Sequence, residues 1–310
     1  MALYTQLNKD EIQRIANDYG LGNVSSYSPL SGGSENSNYL MTCAQGKFVL
    51  TICEQKSIEE SNKLASILTH LNIHNFKTSK VILNSKQNAV SSYQGKPIMV
   101  KEFLDGKITE DISETLIFLV GAELGKLHKV KVPEHIQQKT CYDKEQFVEV
   151  NNYAPDSNFN IWLANIKNHI EKHIDVNAPK ALIHSDVFPS NVIISNDESY
   201  VTIIDFEEAA HYYRMFDVGM TIIGSCRDQS KINLDKLKAL LNGYKTEIKL
   251  TAIEKQTLQA FTVYAGAAMT FWRHKNFHYT NPDPNFYDHY IELQNVTNYV
   301  KELPSENFKI

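Results

Sequence analysis

The sequence predicts an α+β protein with a small sheet-rich N-terminal lobe and a larger, mainly helical C-terminal lobe. Three observations carry that expectation. Two segments rich in β-branched and aromatic residues, Asn38 to Cys43 and Lys47 to Cys53, flank a turn at Gln45-Gly46, which is a hairpin pattern. After Asp105-Gly106 the pattern changes to helical spacing, with Leu116, Leu119, Val120, Leu124 and Leu127 on one side of Ser113–His128. From about 232 to the end the chain reads as mostly helix. The expected division is 1–104 and 105–310.

Taken in order, residues 8–20 form the first expected helix, with Asn8 as its cap and Glu11 three residues later. A polar, glycine-containing turn covers Ser31 to Asn38, ahead of the hairpin. Ser57-Ile58-Glu59-Glu60 opens a helix with Leu64, Ile67, Leu68 and Leu71 on one face, and strand-like segments follow at Lys80–Leu83 and Pro97–Phe103. Residues 157–174 read as an amphipathic helix, and Asn191–Ser195 and Val201–Ile204 as short strands around a polar turn.

Composition narrows the function classes. The chain has 310 residues, 42% hydrophobic and 22% charged, an ordinary globular balance that excludes a disordered chain. With 31 basic against 36 acidic side chains and no basic run, nucleic acid is not an expected partner. Cys43, Cys53, Cys141 and Cys226 are scattered without a C-x-x-C pair, so buried free thiols are expected. The start lacks a signal-peptide pattern, and the longest apolar stretch, Leu116 to Ala122, falls well short of the ~20 residues that span a bilayer. A cytoplasmic protein without a membrane partner is expected.

The chemistry is carried by Ile183-His184-Ser185-Asp186, then Asn191, then Ile203-Ile204-Asp205-Phe206. Two carboxylates and a carboxamide stand beside apolar strand residues on one hairpin-like unit. Phosphoryl transfer needs such a set: one carboxylate to take the proton of the attacking hydroxyl, and oxygen ligands to hold magnesium against the phosphates. Asp186 suits the first role, Asn191 and Asp205 the second.

This constellation resembles the protein-kinase catalytic loop H-R-D-L-x-x-x-N and its D-F-G metal aspartate. Ser185 stands in place of the Arg and Glu207 in place of the Gly. Those departures, with the long helical C-terminus, are similar to the aminoglycoside phosphotransferase and choline kinase superfamily. The resemblance implies a bilobal protein-kinase-like fold, ATP and Mg2+ as cofactors, and a small-molecule acceptor. It also places the phosphate-covering loop at Gly32, Gly33, Ser34, Ser37 and Asn38, and the adenine-binding hinge at Glu102-Phe103. Glu59 or Glu60 begins the helix that in kinases supplies the acidic partner of a strand lysine. Thr51 occupies that lysine's place, with Lys47 or Lys56 as neighbouring substitutes. His184 and Asp217 are expected to support the catalytic loop.

Tyr4-Thr5, Gly33-Ser34-Glu35-Asn36-Ser37-Asn38-Tyr39 and Phe48-Val49-Leu50-Thr51 resemble the type II homoserine kinases of that superfamily. The acceptor implied is an amino acid or amino alcohol, homoserine first. Glu207-Glu208-Ala209 departs from those kinases and resembles choline and aminoglycoside kinases instead, which makes Glu207 the candidate ammonium ligand. Arg214 or Arg273 is the candidate for a substrate carboxylate. Choline, ethanolamine or an aminoglycoside is the alternative acceptor, and a catalytically inactive kinase-fold binding module is the rival of another class. Gly121-Ala122-Glu123-Leu124-Gly125-Lys126 imitates a Walker loop but has the wrong spacing and lies in a helical pattern, so its glycines are expected to allow close packing. His169 and His173 have Glu171 on the wrong face for a zinc site.

Overall fold

In a computed structural model, which describes residues 4–30 and 36–308, the chain divides into two compact units, Met1–Gly106 and Lys107–Ile310.

The first unit is built on an antiparallel sheet. Helix α1 (Lys9–Asp18) opens with the expected capping box: the Asn8 side chain accepts from the Glu11 N–H while the Glu11 carboxylate accepts from the Asn8 N–H. Strands β1 (Val24–Pro29), β2 (Asn36–Cys43), β3 (Gly46–Cys53), β4 (Val81–Ile82), β5 (Val90–Tyr93) and β6 (Lys96–Glu102) follow, interrupted after β3 by α2 (Ile58–Ile73). The order across the sheet is β1-β2-β3-β6-β4, with β5 also paired to β6. The β2–β3 hairpin runs in unbroken register from Asn36↔Cys53 to Cys43↔Gly46. Alternation sends Ser37, Tyr39, Met41 and Cys43 to the buried side of β2. There Tyr39 and Met41 meet Ile12 and Ala16 of α1 and Leu50, Ile52, Ile98 and Val100 of the neighbouring strands. Strands β1 and β5 were not legible in the sequence, because both are short and rich in serine.

The second unit is mainly helical. It holds α3 (Glu114–Leu127), α4 (Asn158–His173), β7 (Lys180–Ile183), β8 (Val192–Ile194), β9 (Val201–Ile203), β10 (Ala210–Tyr213) and α5 (Arg214–Ser225). Next come β11 (Arg227–Asp228), β12 (Lys231–Ile232), α6 (Leu234–Glu247), α7 (Ala252–Lys275) and α8 (His289–Glu302). The Walker-like glycines do serve packing. A Cβ on Gly121 would lie 2.0 Å from the Leu240 carbonyl oxygen, and one on Gly243 1.8 Å from that of Phe118, so α3 and α6 approach backbone to backbone. Helix α7 is the central element, touching α4, α5 and α8. Short pairs β7–β10 and β8–β9 bracket the polar loop 184–191.

Among the described residues no helix is long and apolar enough to cross a membrane. Cys43, Cys53 and Cys226 are buried and in no disulfide, whereas Cys141 is exposed, against the expectation of burial.

Candidate active site

The loop after β7 is shaped by one buried carboxylate. Asp217, in the first turn of α5, accepts from the His184 N–H at 2.8 Å and the Ser185 N–H at 2.8 Å. His128 of α3 donates its Nε2–H to the same side chain at 3.0 Å, and its Nδ1 meets the Tyr244 hydroxyl at 2.8 Å. Burial alone would raise the Asp217 pKa, but the His128 contact and the N–H donors hold it below the ordinary carboxylate range. The loop's start is therefore pinned by a negative charge that has no exposure to water.

His184 ties this loop to the next segment. Its Nε2 bonds the Ile204 carbonyl at 2.8 Å, and its Nδ1 accepts from the Asp186 N–H at 3.1 Å. Those partners require the neutral Nε2–H tautomer, and burial pushes the imidazole pKa down in agreement. Asn191 closes the loop: its Nδ2 donates to the Asp186 carbonyl at 2.8 Å and to Asp186 Oδ2 at 3.0 Å, which leaves its Oδ1 as the remaining ligand atom. The Ile204 N–H donates to the Asn191 carbonyl at 3.0 Å, so Asp205 follows directly from an anchored residue. Ser185 and Asp205 both adopt the left-handed region, with φ of +76° and +70°. For non-glycine residues that costs on the order of 1–3 kcal/mol each, and such strain concentrates at functional sites.

Asp186 is pushed up to about 8, first by burial and then by the negative charges of Asp205 and Glu208, against the Asn191 hydrogen bond and Arg273. Asp205 and Glu208 are thus acids whose charge acts on Asp186.

Several expected ligands have structural duties instead. Arg214 forms a two-pronged pair with the buried Glu254, Nε and Nη2 each at 2.8 Å, and is withdrawn as a substrate ligand. Ser37 faces the core: its Oγ accepts from the Tyr4 and Thr5 N–H groups, both at 3.1 Å, and donates to Glu54. It fastens the N-terminal segment and is corrected from a phosphate donor to a bracket. Asn38, on the opposite side of β2, accepts from the Thr51 hydroxyl at 2.7 Å. The residue in the lysine position is therefore joined to the neighbouring strand. Gly32, Gly33 and Ser34 lie outside the described residues.

At the expected hinge, the N–H groups of Glu102 and Phe103 donate to the Lys80 and Lys47 carbonyls at 2.8 and 3.1 Å, so these two donors serve the sheet. Glu60 completes the capping box of α2 with Ser57, and Glu59 pairs with Lys63 at 2.8 Å. Neither acid faces a strand lysine. Lys47 meets Asp105 at 3.3 Å and lies over the Phe103 ring.

The model of the phosphotransferase enzyme family matches residues 26–247. The chain belongs to that family. This phosphotransferase is 28% identical over 295 residues to a homoserine kinase of Zymomonas mobilis, covering 92% of this chain and 91% of the relative. It is 27% identical over 279 residues to a homoserine kinase of Nitrobacter hamburgensis, covering 87% and 85%. Among solved structures, an amicoumacin kinase in complex with AMP-PNP and Ca2+ superposes with a TM-score of 0.72 at 16% identity, over 96% of this chain and 95% of that one. That likeness establishes the protein-kinase-like fold. The phosphotransferase is a small-molecule kinase with a hydroxyl acceptor, and the inactive-module alternative falls away.

Proposed function

We propose that the enzyme transfers the γ-phosphate of ATP to the side-chain hydroxyl of homoserine. The observation that carries this reading is the Asp186–Asn191 contact, which ties one carboxylate to one carboxamide while the charge of the strained Asp205 acts on the same Asp186. The names of relatives aligned along most of both chains support homoserine as the acceptor.

In this reading the acceptor hydroxyl gives its proton to a carboxylate oxygen of Asp186 as its oxygen attacks the γ-phosphorus, and the bond to the β-phosphate oxygen breaks to release ADP. The donor set fits magnesium, since carboxylate and carboxamide oxygens are what hard divalent cations take, and Asp205 with Asn191 Oδ1 would hold it. When bound, it would withdraw charge from the transferring phosphate and favour the ionised form of Asp186. Asp217 and His184 hold the loop so that the Asp186 carboxylate is already placed before substrate arrives. Glu207, with Glu208 beside it, is the candidate for the ammonium group of the substrate.

The test is an ATP-turnover assay with magnesium over homoserine, choline, ethanolamine and an aminoglycoside. Phosphorylation of homoserine well above the others is expected. Turnover of choline or ethanolamine with homoserine inert would replace homoserine by that alcohol.

A further inference from the structure

Two arginines and one glutamate meet at the end of α5, the last turn of α7 and the first turn of α8. Arg227 donates from Nη1 to Glu292 Oε1, and also reaches the Gln229 carbonyl at 3.4 Å. Arg273 approaches the other oxygen of Glu292 at 3.5 Å and donates to the His289 carbonyl at 3.2 Å. Both guanidinium groups are largely withdrawn from water, with side-chain exposures of 20% and 11%, while Glu292 is 40% exposed.

Only one carboxylate bonds the two permanent cations directly, Asp186 being the further acid whose charge reaches Arg273, and the half-exposed Glu292 lies at the outer limit of a hydrogen bond from Arg273. A clamp that served only to tie α7 to α8 would be expected to resemble Arg214–Glu254, one guanidinium on one carboxylate with two bonds of 2.8 Å. Holding two guanidinium groups largely out of water on one directly bonded carboxylate is unfavourable unless a further anion meets them.

The cluster also belongs to the neighbourhood of the reacting group. Helix α5 ends against the catalytic loop: the Ser225 hydroxyl donates to the Val187 carbonyl at 3.4 Å, and a Cβ on Gly224 would lie 3.0 Å from the Phe188 ring. Arg227 follows two residues after that contact. Arg273 and Asp186 are close enough for each to influence the other's ionisation, and His289, its imidazole pKa lowered by burial and by Arg273, adds no compensating negative charge.

The geometry points to Arg227 and Arg273 as the receptor for the carboxylate of the acceptor substrate, so that the enzyme selects hydroxy amino acids over amino alcohols. This inference rests on the kinase reading above and deepens it. Glu292 holds the two guanidinium groups near one another, and the incoming carboxylate supplies a second directly bonded anion. Arg273 was a candidate from sequence alone; Arg227 gave no sequence signal, since its partner lies 65 positions away.

The experiment compares kcat/KM for homoserine and for 3-aminopropan-1-ol, the same skeleton without its carboxylate, in the wild type and in Arg227→Gln, Arg273→Gln and Arg273→Lys. A site built to bond a carboxylate should favour homoserine by about 10³ or more, and each Gln variant should reduce that ratio by about 10–100-fold, chiefly through KM. Arg273→Lys, which keeps the charge and loses the fork, should fall between them. Because the ratio is internal to each variant, a variant that folds poorly lowers both rates and leaves the ratio interpretable. Equal use of the two acceptors by the wild type would overturn the carboxylate receptor while leaving homoserine phosphorylation standing. A high ratio untouched by all three substitutions would do the same. Use of 3-aminopropan-1-ol with homoserine inert would overturn both readings.

Discussion

The hairpin β2–β3 of the first unit and the hairpin β8–β9 of the second hold their polar side chains in different ways. The first has eight-residue strands, and its alternation alone decides that Ser37 points into the core and Asn38 away from it. The second has three-residue strands, too short for register to specify much. Its polar groups are positioned from outside, by Asp217, His128 and His184 on other elements. A long hairpin is a self-sufficient ruler; a short one can be aimed, but only by hydrogen bonds that the rest of the fold provides.

Four experiments probe that contrast. The largest effect is expected from Asp186→Asn, which keeps the Asn191 contact and removes the proton acceptor; turnover should fall by up to about 10⁴-fold. ATP binding, followed by titration, should be largely retained, and wild-type-like turnover would refute the base role.

Asp217→Ala comes next. It strands His128 and two backbone N–H groups in a buried site, so denaturant unfolding should show a loss of about 3–5 kcal/mol. A loss under 1 kcal/mol would mean that the short hairpin holds its own loop. Asp217 has a depressed pKa in the folded state, so its contribution is present above the ordinary carboxylate range and is lost as pH falls through its folded value.

A smaller effect is expected at the ruler-like hairpin. Ser37→Ala removes the acceptor for the Tyr4 and Thr5 N–H groups and should cost about 1–3 kcal/mol. Because register is set by the apolar face, the sheet should survive, with protease sensitivity rising at the N-terminal segment alone. Collapse of the whole first unit would contradict the contrast.

The smallest effect at neutral pH concerns His274 of α7, stacked between Phe159 and His278 and held down to about 3 by burial and by His278. The unfolded chain takes that proton near the ordinary value of about 6.5. Stability is therefore complete above that value and declines as pH drops from there toward about 3. Thermal unfolding of His274→Phe should show a shallower decline across this window than the wild type; parallel curves would exclude the histidine.

The cap at Asn8, the start of α2 at Ser57, the β2–β3 hairpin, helix α3 and the loop bearing Asp186, Asn191 and Asp205 were legible because each is set by spacing within a few residues. The glycines of α3 were legible as packing residues for the same reason, although their partner α6 was not. The misreadings at Ser37 and Arg214 share a cause. Each has a residue type suited to a ligand, and each had already been claimed by a core bracket or a buried acid.

What the sequence determined by itself is the fold class and the order of the reactive side chains, since helical period, strand alternation and short motifs are local properties of the chain. Only the tertiary structure decided that Asp205 and Glu208 act on Asp186, and that Arg227 joins Arg273 over Glu292. Charge pairing depends on distances between side chains brought together from separate elements, and no local pattern records which of several acids or arginines the fold will bring within reach.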